Sequence, residues 1–212
     1  MAAIDSETKL LALIGKPVRH SLSPLLYNTA FRVLELNMAY MAFDVEPEYL
    51  ESALRGMTAM GFQGFNVTIP HKEAVLPYLD FIHPEAKLIG AVNTVVIKHG
   101  KLHGYNTDGV GFLRSLEENR ISPFGKEIVL LGAGGAAKAV ATVLALKGAK
   151  RIIIANRSLN KAQELAARIS SMGVTSQAVS LEALNERVDL RQTDILINAT
   201  PVGLNPKTDS TI

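Results

Sequence analysis

Short apolar runs and helical periodicities alternate along the whole chain. Leu10 to Gly15 is an apolar run closed by Gly15-Lys16-Pro17, as a buried strand would be. Ser23 and Pro24 then open a helical pattern, with Ser23 suited to the cap and Pro24 to the first turn. Leu25, Leu26, Thr29, Ala30, Val33 and Leu34 follow at helical spacing. Met38 to Val45 reads as a second strand, and Pro47 starts a helix that ends near Gly61. Phe65, Val67 and Ile69 alternate with Asn66 and Thr68, which predicts a half-buried strand with two polar side chains on its exposed face. A third helix is expected from His71 to Leu79. Val92 to Ile97 and Lys101 to Tyr105 flank His99-Gly100 as a hairpin would, and Asp108 to Asn119 is helical.

Arg120 to Gly125 holds Pro and Gly between two periodic regions and is the expected linker. Beyond it the pattern becomes a regular alternation. Glu127 to Leu131 is a strand, a glycine-rich turn follows, and a helix runs from Gly135 to Lys147. Arg151 to Ala155 is a strand followed by a helix from Ser158 to Ser170. Val174 to Val179 and Asp194 to Asn198 complete the set. Strands alternating with helices imply an α/β protein with parallel, doubly wound sheet. The organisation read from this is residues 1–107, a connecting helix and linker over 108–125, and a nucleotide-binding domain over 126–212.

Composition narrows the function. The 212 residues carry a formal charge of only +2, too small for the basic field that nucleic acid requires. There is no cysteine, which excludes a disulfide framework, a thiolate metal site and a cysteine nucleophile. The five histidines form no HExxH pair, so no catalytic metal is expected. The start, Met1 to Lys9, resembles neither a secretory signal nor a transit peptide, and no apolar run is long enough to span a bilayer. A cytoplasmic protein with no membrane partner is expected. Amphipathic helices could pack against a second subunit, so a homodimer stays open.

Two sets of residues carry candidate chemistry. Gly132-Ala133-Gly134-Gly135-Ala136-Ala137 sits between an apolar strand and a helix. Gly132 permits the tight turn, Gly134 lets the backbone approach a pyrophosphate, and Ala137 is small enough for close helix packing. The next strand ends in Asn156-Arg157-Ser158, where an NAD site usually carries an acid. Arg157 would instead pair with the 2′-phosphate of NADP, with Ser158 adding a hydroxyl and Lys161 a second charge. Taken alone, Arg157 would be a solvated surface residue; its place after this strand argues for the phosphate. The first half of the chain carries Ser21, Ser23, Asn66, Thr68, Lys72, Asn93 and Asp108 at strand ends. Individually they read as caps, a wet strand face and a surface lysine. Together, hydroxyls and amides suit a polyol, and a lysine beside an aspartate could hold or move its proton.

The motifs Ser21-Leu-Ser-Pro24, Gly64-Phe-Asn-Val-Thr-Ile-Pro-His-Lys72, Gly90-Ala-Val-Asn-Thr94, Gly104-Tyr-Asn-Thr-Asp108, Gly132 to Ala137, Asn156-Arg157 and Asn198-Ala-Thr-Pro-Val-Gly203 occur in that order. The series resembles that of the shikimate dehydrogenases and spans nearly the whole chain. The resemblance implies two α/β domains, a substrate domain with a mainly parallel sheet and a Rossmann-like NADP domain, with the active site in the cleft between them. It implies reversible NADPH-dependent reduction of 3-dehydroshikimate to shikimate, in chorismate and aromatic amino-acid biosynthesis. Ser21 and Ser23 would bind the substrate carboxylate. Asn66, Thr68, Asn93 and Asp108 would hold ring hydroxyls, and Lys72 and Asp108 would form the catalytic pair. Gly132 to Ala137, Asn156, Arg157, Ser158 and Lys161 would hold NADP, with Thr200 near the nicotinamide. Whether Lys72 is the acid/base or an electrostatic orienter stays open. Three departures stand out. Only nine residues follow Gly203, where family members continue, so the nucleotide domain is expected to be C-terminally incomplete. Lys161 stands where many relatives have arginine, and Leu204 where methionine is common. A quinate/shikimate enzyme of broader specificity, a non-catalytic NADP-binding relative and one half of a fusion enzyme are the alternatives.

Overall fold

The computed structural model describes residues 4–203, so Leu204 lies outside the described residues. The chain divides into two units, residues 1–106 and 107–212.

The first unit is a six-stranded sheet in the order β2-β1-β3-β5-β6-β4. Its strands are β1 (Lys9–Gly15), β2 (Met38–Asp44), β3 (Gly64–Val67), β4 (Phe81–Ile82), β5 (Thr94–Lys98) and β6 (Lys101–Tyr105). β1 lies between β2 and β3, parallel to both. β5 and β6 run antiparallel because they form the expected hairpin, while β4 is parallel to β6. The hairpin turns on His99 (φ 49°) and Gly100 (φ 72°), both left-handed, as a two-residue turn of this kind needs.

One face of the sheet packs Ala12, Ile14, Phe65, Val67 and Val95 against Leu50, Leu54 and Met57 of α2 (Leu50–Ala59). The other face carries Leu13, Val18 and Tyr40, covered by α1 (Ser23–Val33) through Phe31. The leucines of α1, at helical spacing in the sequence, do not face a core here. Leu25, Leu26, Val33 and Leu34 are 64–72 % exposed, and among the described residues nothing covers them. The helix carries a second stripe at the same spacing, Pro24, Tyr27, Asn28 and Phe31, and it is this one that meets β2. Tyr27 stacks on Tyr40 with ring centroids 4.4 Å apart. Asn28 donates to the Tyr40 carbonyl (2.8 Å) and accepts from the Tyr40 N–H (2.9 Å). A side-chain amide thus satisfies the outward backbone groups of an edge strand, worth about 1 kcal/mol per bond, which a leucine stripe could not do.

Three other expectations change. Leu22, not Ser23, is the N-cap residue of α1; Ser23 is its first residue and gives its N–H to the Ser21 hydroxyl (3.2 Å). β3 stops at Val67, so Ile69 leaves the buried face and is 52 % exposed at the cis Ile69–Pro70 bond. The third helix is a single turn, α3 (His71–Ala74), followed by a 3-10 turn over Leu76–Tyr78, because Pro77 cannot donate a helical hydrogen bond. A further short helix, α4 (Pro84–Ile89), starts on Pro84 and ends on left-handed Gly90.

The second unit has four parallel strands in the order β10-β7-β8-β9: β7 (Glu127–Leu131), β8 (Arg151–Asn156), β9 (Thr175–Ser180) and β10 (Ile195–Asn198). β7 and β8 are apolar without a break because both faces are covered. Ile128, Leu130, Ile152 and Ile154 pack with α6 (Gly135–Leu146) and α7 (Leu159–Ser171). Val129, Leu131, Ile153 and Ala155 pack on the other side with Leu184 of α8 (Leu184–Arg187). α5 (Asp108–Glu118) lies on α6 through Gly109, where a Cβ would come within 2.6 Å of Val143 Cγ1. Among the described residues no helix is long and apolar enough to cross a membrane.

Candidate active site

In the first unit the polar candidates collect at one end of the sheet, where β1 and β3 finish and β5 begins. Ser21, Ser23, Asn66, Thr68, Lys72 and Asn93 are all half-buried there. Gly15 ends β1 without a side chain because Thr68 leaves no room: a Cβ would lie 2.3 Å from Thr68 Cγ2 and 2.9 Å from the Ile69 carbonyl. The Thr68 N–H donates to the Ile14 carbonyl (2.9 Å), and the Lys16 N–H to the Ile69 carbonyl (2.8 Å). The turns that carry Ser21 and Lys72 are thereby tied together. Each follows a cis proline peptide, Lys16–Pro17 and Ile69–Pro70.

The two serines form a pair in which the Ser21 hydroxyl donates to Ser23 Oγ (3.1 Å) at the start of α1. Asn66 gives its amide N–H groups to the Asn93 carbonyl (3.3 Å) and Thr94 Oγ1 (3.2 Å), and accepts from the Tyr40 hydroxyl (2.7 Å). The Asn93 carbonyl also takes the Val67 N–H (2.9 Å), and Thr94 donates to Asn93 Oδ1 (3.0 Å). The Lys72 backbone is held by the Val92 N–H on its carbonyl (2.8 Å). Behind it the buried His71 places Nε2 2.8 Å from the Val45 carbonyl, which can only accept, so Nε2 carries the proton.

The 16–21 loop that carries Ser21 is pinned by Asp44, the last residue of β2. Asp44 accepts from the Val18 N–H (2.7 Å) and from Arg19 Nε (3.3 Å), with Lys16 Nζ 3.8 Å away. The Val18 N–H, followed by the two cations, holds the Asp44 carboxyl below its ordinary 3.8. A depressed folded-state value stabilises above the unfolded value and loses that contribution as pH falls through the folded one. Asp44→Asn should therefore lower Tm relative to the parent at neutral pH, with the gap narrowing as pH falls below the ordinary carboxyl value of 3.8. Melting curves at neutral and acid pH check this; a gap that persists in acid would remove the carboxylate from the explanation.

In the second unit Gly132 leaves β7 with φ 112°, and a Cβ there would lie 2.9 Å from the Ala199 carbonyl and 3.3 Å from Thr200 Cγ2. The glycine turn and Thr200 are in contact for that reason. Asn198 Oδ1 accepts from both the N–H and hydroxyl of Thr200 (2.9 and 2.7 Å), fixing the second wall. Gly134 has open space where a Cβ would be, so its backbone is accessible. Gly135, Ala136 and Ala137 follow as the first turn of α6, where unpaired N–H groups favour an anion. β8 ends at Asn156, whose amide donates to the Ser158 carbonyl (2.9 Å) and shapes the turn holding Arg157. Arg157, Ser158 and Lys161 are exposed around the N-terminus of α7. This donor set, two cations, a hydroxyl and a helix N-terminus, fits a phosphate, and the glycine turn fits a pyrophosphate.

Lys72 belongs to the first unit and Asp108, first residue of α5, to the second; their pairing rests on the family resemblance. Sequence patterning missed Tyr40, Asp44 and Asn28, because each acts on a partner at least 12 positions away. Among the described residues no group of three or more His, Asp or Glu could hold a metal.

Two family models match. The shikimate dehydrogenase substrate-binding domain covers residues 13–95, and shikimate/quinate 5-dehydrogenase covers residues 116–204. A shikimate dehydrogenase (NADP+) of Methanopyrus kandleri is 51 % identical over 98 % of this chain and 72 % of its own length. A crystal structure of shikimate dehydrogenase in complex with NADP+ superposes with a TM-score of 0.87 at 47 % identity, covering 99 % of this chain and 72 % of that one. The 5-ketofructose reductase of a Gluconobacter species is 41 % identical with a TM-score of 0.79, over 94 % and 72 % of the two chains.

Proposed function

Because the chain belongs to the shikimate dehydrogenase family, we infer that it interconverts shikimate and 3-dehydroshikimate with NADP. It is an oxidoreductase acting on a CH–OH group, in the pathway to the aromatic amino acids. The observation that carries the reading is the half-buried set of hydroxyls and amides around Lys72, at the end of a sheet whose core is otherwise apolar. Such a set gathers hydroxyl, amide and amine groups where a polar ligand can meet them.

The roles follow from the chemistry of each group. Ser21 and Ser23 offer two adjacent hydroxyls for a carboxylate. Asn66, Thr68 and Asn93 offer amide and hydroxyl groups for the ring hydroxyls, and Asp108 an acceptor from the second unit. Oxidation removes a hydride from the substrate carbon and a proton from its hydroxyl. NADP+, held by Gly132 to Ala137, Asn156, Arg157, Ser158 and Lys161 with Thr200 beside the glycine turn, supplies the hydride acceptor. Lys72 holds the reacting hydroxyl and either takes its proton as a neutral amine or, as an ammonium, stabilises negative charge on that oxygen while water takes the proton. Asp108 is its catalytic partner on the family resemblance.

Purified chain mixed with shikimate and NADP+ should show rising NADPH absorbance, with quinate and NAD+ as parallel controls. A rise confined to shikimate with NADP+ supports the reading. Equal rates with quinate would make it an enzyme of broader specificity, and no rise with either acid would overturn it.

A further inference from the structure

Asn66 has four hydrogen-bonding capacities, two N–H donors and two lone pairs on Oδ1. Its orientation follows from its neighbours. The Asn93 carbonyl only accepts, so the amide must turn Nδ2 toward it (3.3 Å), and Thr94 Oγ1 lies beside the same nitrogen (3.2 Å). Oδ1 then faces Tyr40, whose hydroxyl donates to it at 2.7 Å. Three capacities are used inside the protein, and one Oδ1 lone pair is left.

Tyr40 is built to hold that arrangement. It is 2 % exposed, stacked on Tyr27, and its backbone is gripped on both polar groups by Asn28. Burial, with Tyr27 adding to it, pushes the phenol well above its ordinary 10.0, so the hydroxyl keeps its proton.

We propose that Tyr40 is a positioning residue: its hydroxyl locks the Asn66 amide so that Asn66 meets a substrate hydroxyl as an acceptor. The inference rests on the proposed reaction for its kinetic consequence, but its geometric claim stands apart from activity. Without the Tyr40 hydroxyl, Oδ1 loses a charge-free but buried donor, the amide gains freedom to rotate, and the acceptor is no longer aimed. Tyr40 thereby helps to choose a polyol that presents an O–H at this point.

The test is Tyr40→Phe, read in two ways on the full chain. In NMR, the Asn66 side-chain amide pair is assigned by its disappearance in Asn66→Ala; Tyr40→Phe should shift that pair and speed its exchange. In kinetics, Tyr40→Phe should raise KM for shikimate about tenfold, the size of one lost hydrogen bond at a binding group, with kcat changing less and KM for NADP+ unmoved. In the Asn66→Ala background the same change should add nothing to KM. An unmoved Asn66 amide, or an added loss on top of Asn66→Ala, would overturn the inference. If the unsubstituted chain does not turn over shikimate, the proposed reaction fails and the amide resonances alone decide for Tyr40. Should Tyr40→Phe not fold, a ring-fluorinated tyrosine at position 40, a stronger donor of the same shape, should shift the Asn66 amide; no shift would again overturn it.

Discussion

Lys72→Ala should lower kcat by about three orders of magnitude, within the range that removing a positioned acid/base group produces. The reason lies in where the lysine sits. It is half-buried in the single turn of α3, its backbone carbonyl held by the Val92 N–H at 2.8 Å, among residues that would hold a polyol. Lys16, in the neighbouring loop, is taken up by Glu46 at 2.6 Å. The glycine turn, Arg157 and Lys161 all belong to the second unit, so NADP+ affinity should change little. Steady-state kinetics together with NADP+ titration separate the two quantities. A large loss of NADP+ affinity with kcat retained would sink the assignment. Lys72→Arg adds a useful control: it keeps the positive charge but cannot give up a proton near neutral pH. Activity retained in Lys72→Arg would favour electrostatic stabilisation, and activity lost as in Lys72→Ala would favour proton transfer.

Arg157→Ala should raise KM for NADP+ between about tenfold and a hundredfold while leaving KM for NAD+ nearly unchanged. A charge-assisted hydrogen bond is worth about 1.5–3 kcal/mol, and about 1.4 kcal/mol is a factor of ten. The selectivity comes from the end of β8, where Asn156 shapes the turn and no acidic side chain is present to take a ribose hydroxyl. Arg157 is exposed, so the preference for NADP+ should also fall as salt is raised. Kinetics with both nucleotides at low and high ionic strength check this. An equal rise in both KM values would mean that Arg157 supports the turn rather than a 2′-phosphate. Lys161, third residue of α7, should retain part of the preference as a point charge without the planar fork.

The nucleotide-binding unit was legible in the sequence because its signals are local. The strand β7, the glycine turn and helix α6 are consecutive, and each obeys its own periodicity. The unbroken apolar runs of β7 and β8 state that both faces are buried. Four strands were expected after the linker and four are found among the described residues. The membership of the chain in its family was legible for a similar reason, since the motifs lie in order along nearly all of it. The hairpin β5–β6 was legible through His99-Gly100, whose left-handed geometry is a property of the turn itself.

What the tertiary structure decided are relations between distant residues. Helix α1 carries two stripes at the same spacing, and periodicity cannot rank them. The choice of Tyr27, Asn28 and Phe31 over the leucines depends on an edge strand whose backbone needs an amide partner. Ser23 looked like a helix cap, but Leu22 stands at that position with no side-chain cap bond, and Ser23 gives its N–H to the Ser21 hydroxyl in a loop that Asp44 pins through Val18, 26 positions away. The outward alternation of Asn66 and Thr68 was readable from the strand. That Asn66 is locked by Tyr40 on one side and by Asn93 and Thr94 on the other was not. Composition and period report what a residue is and which way its own element turns it. Which lone pair is left for a ligand depends on hydrogen bonds closed across 26 to 28 positions, and only the folded chain closes them.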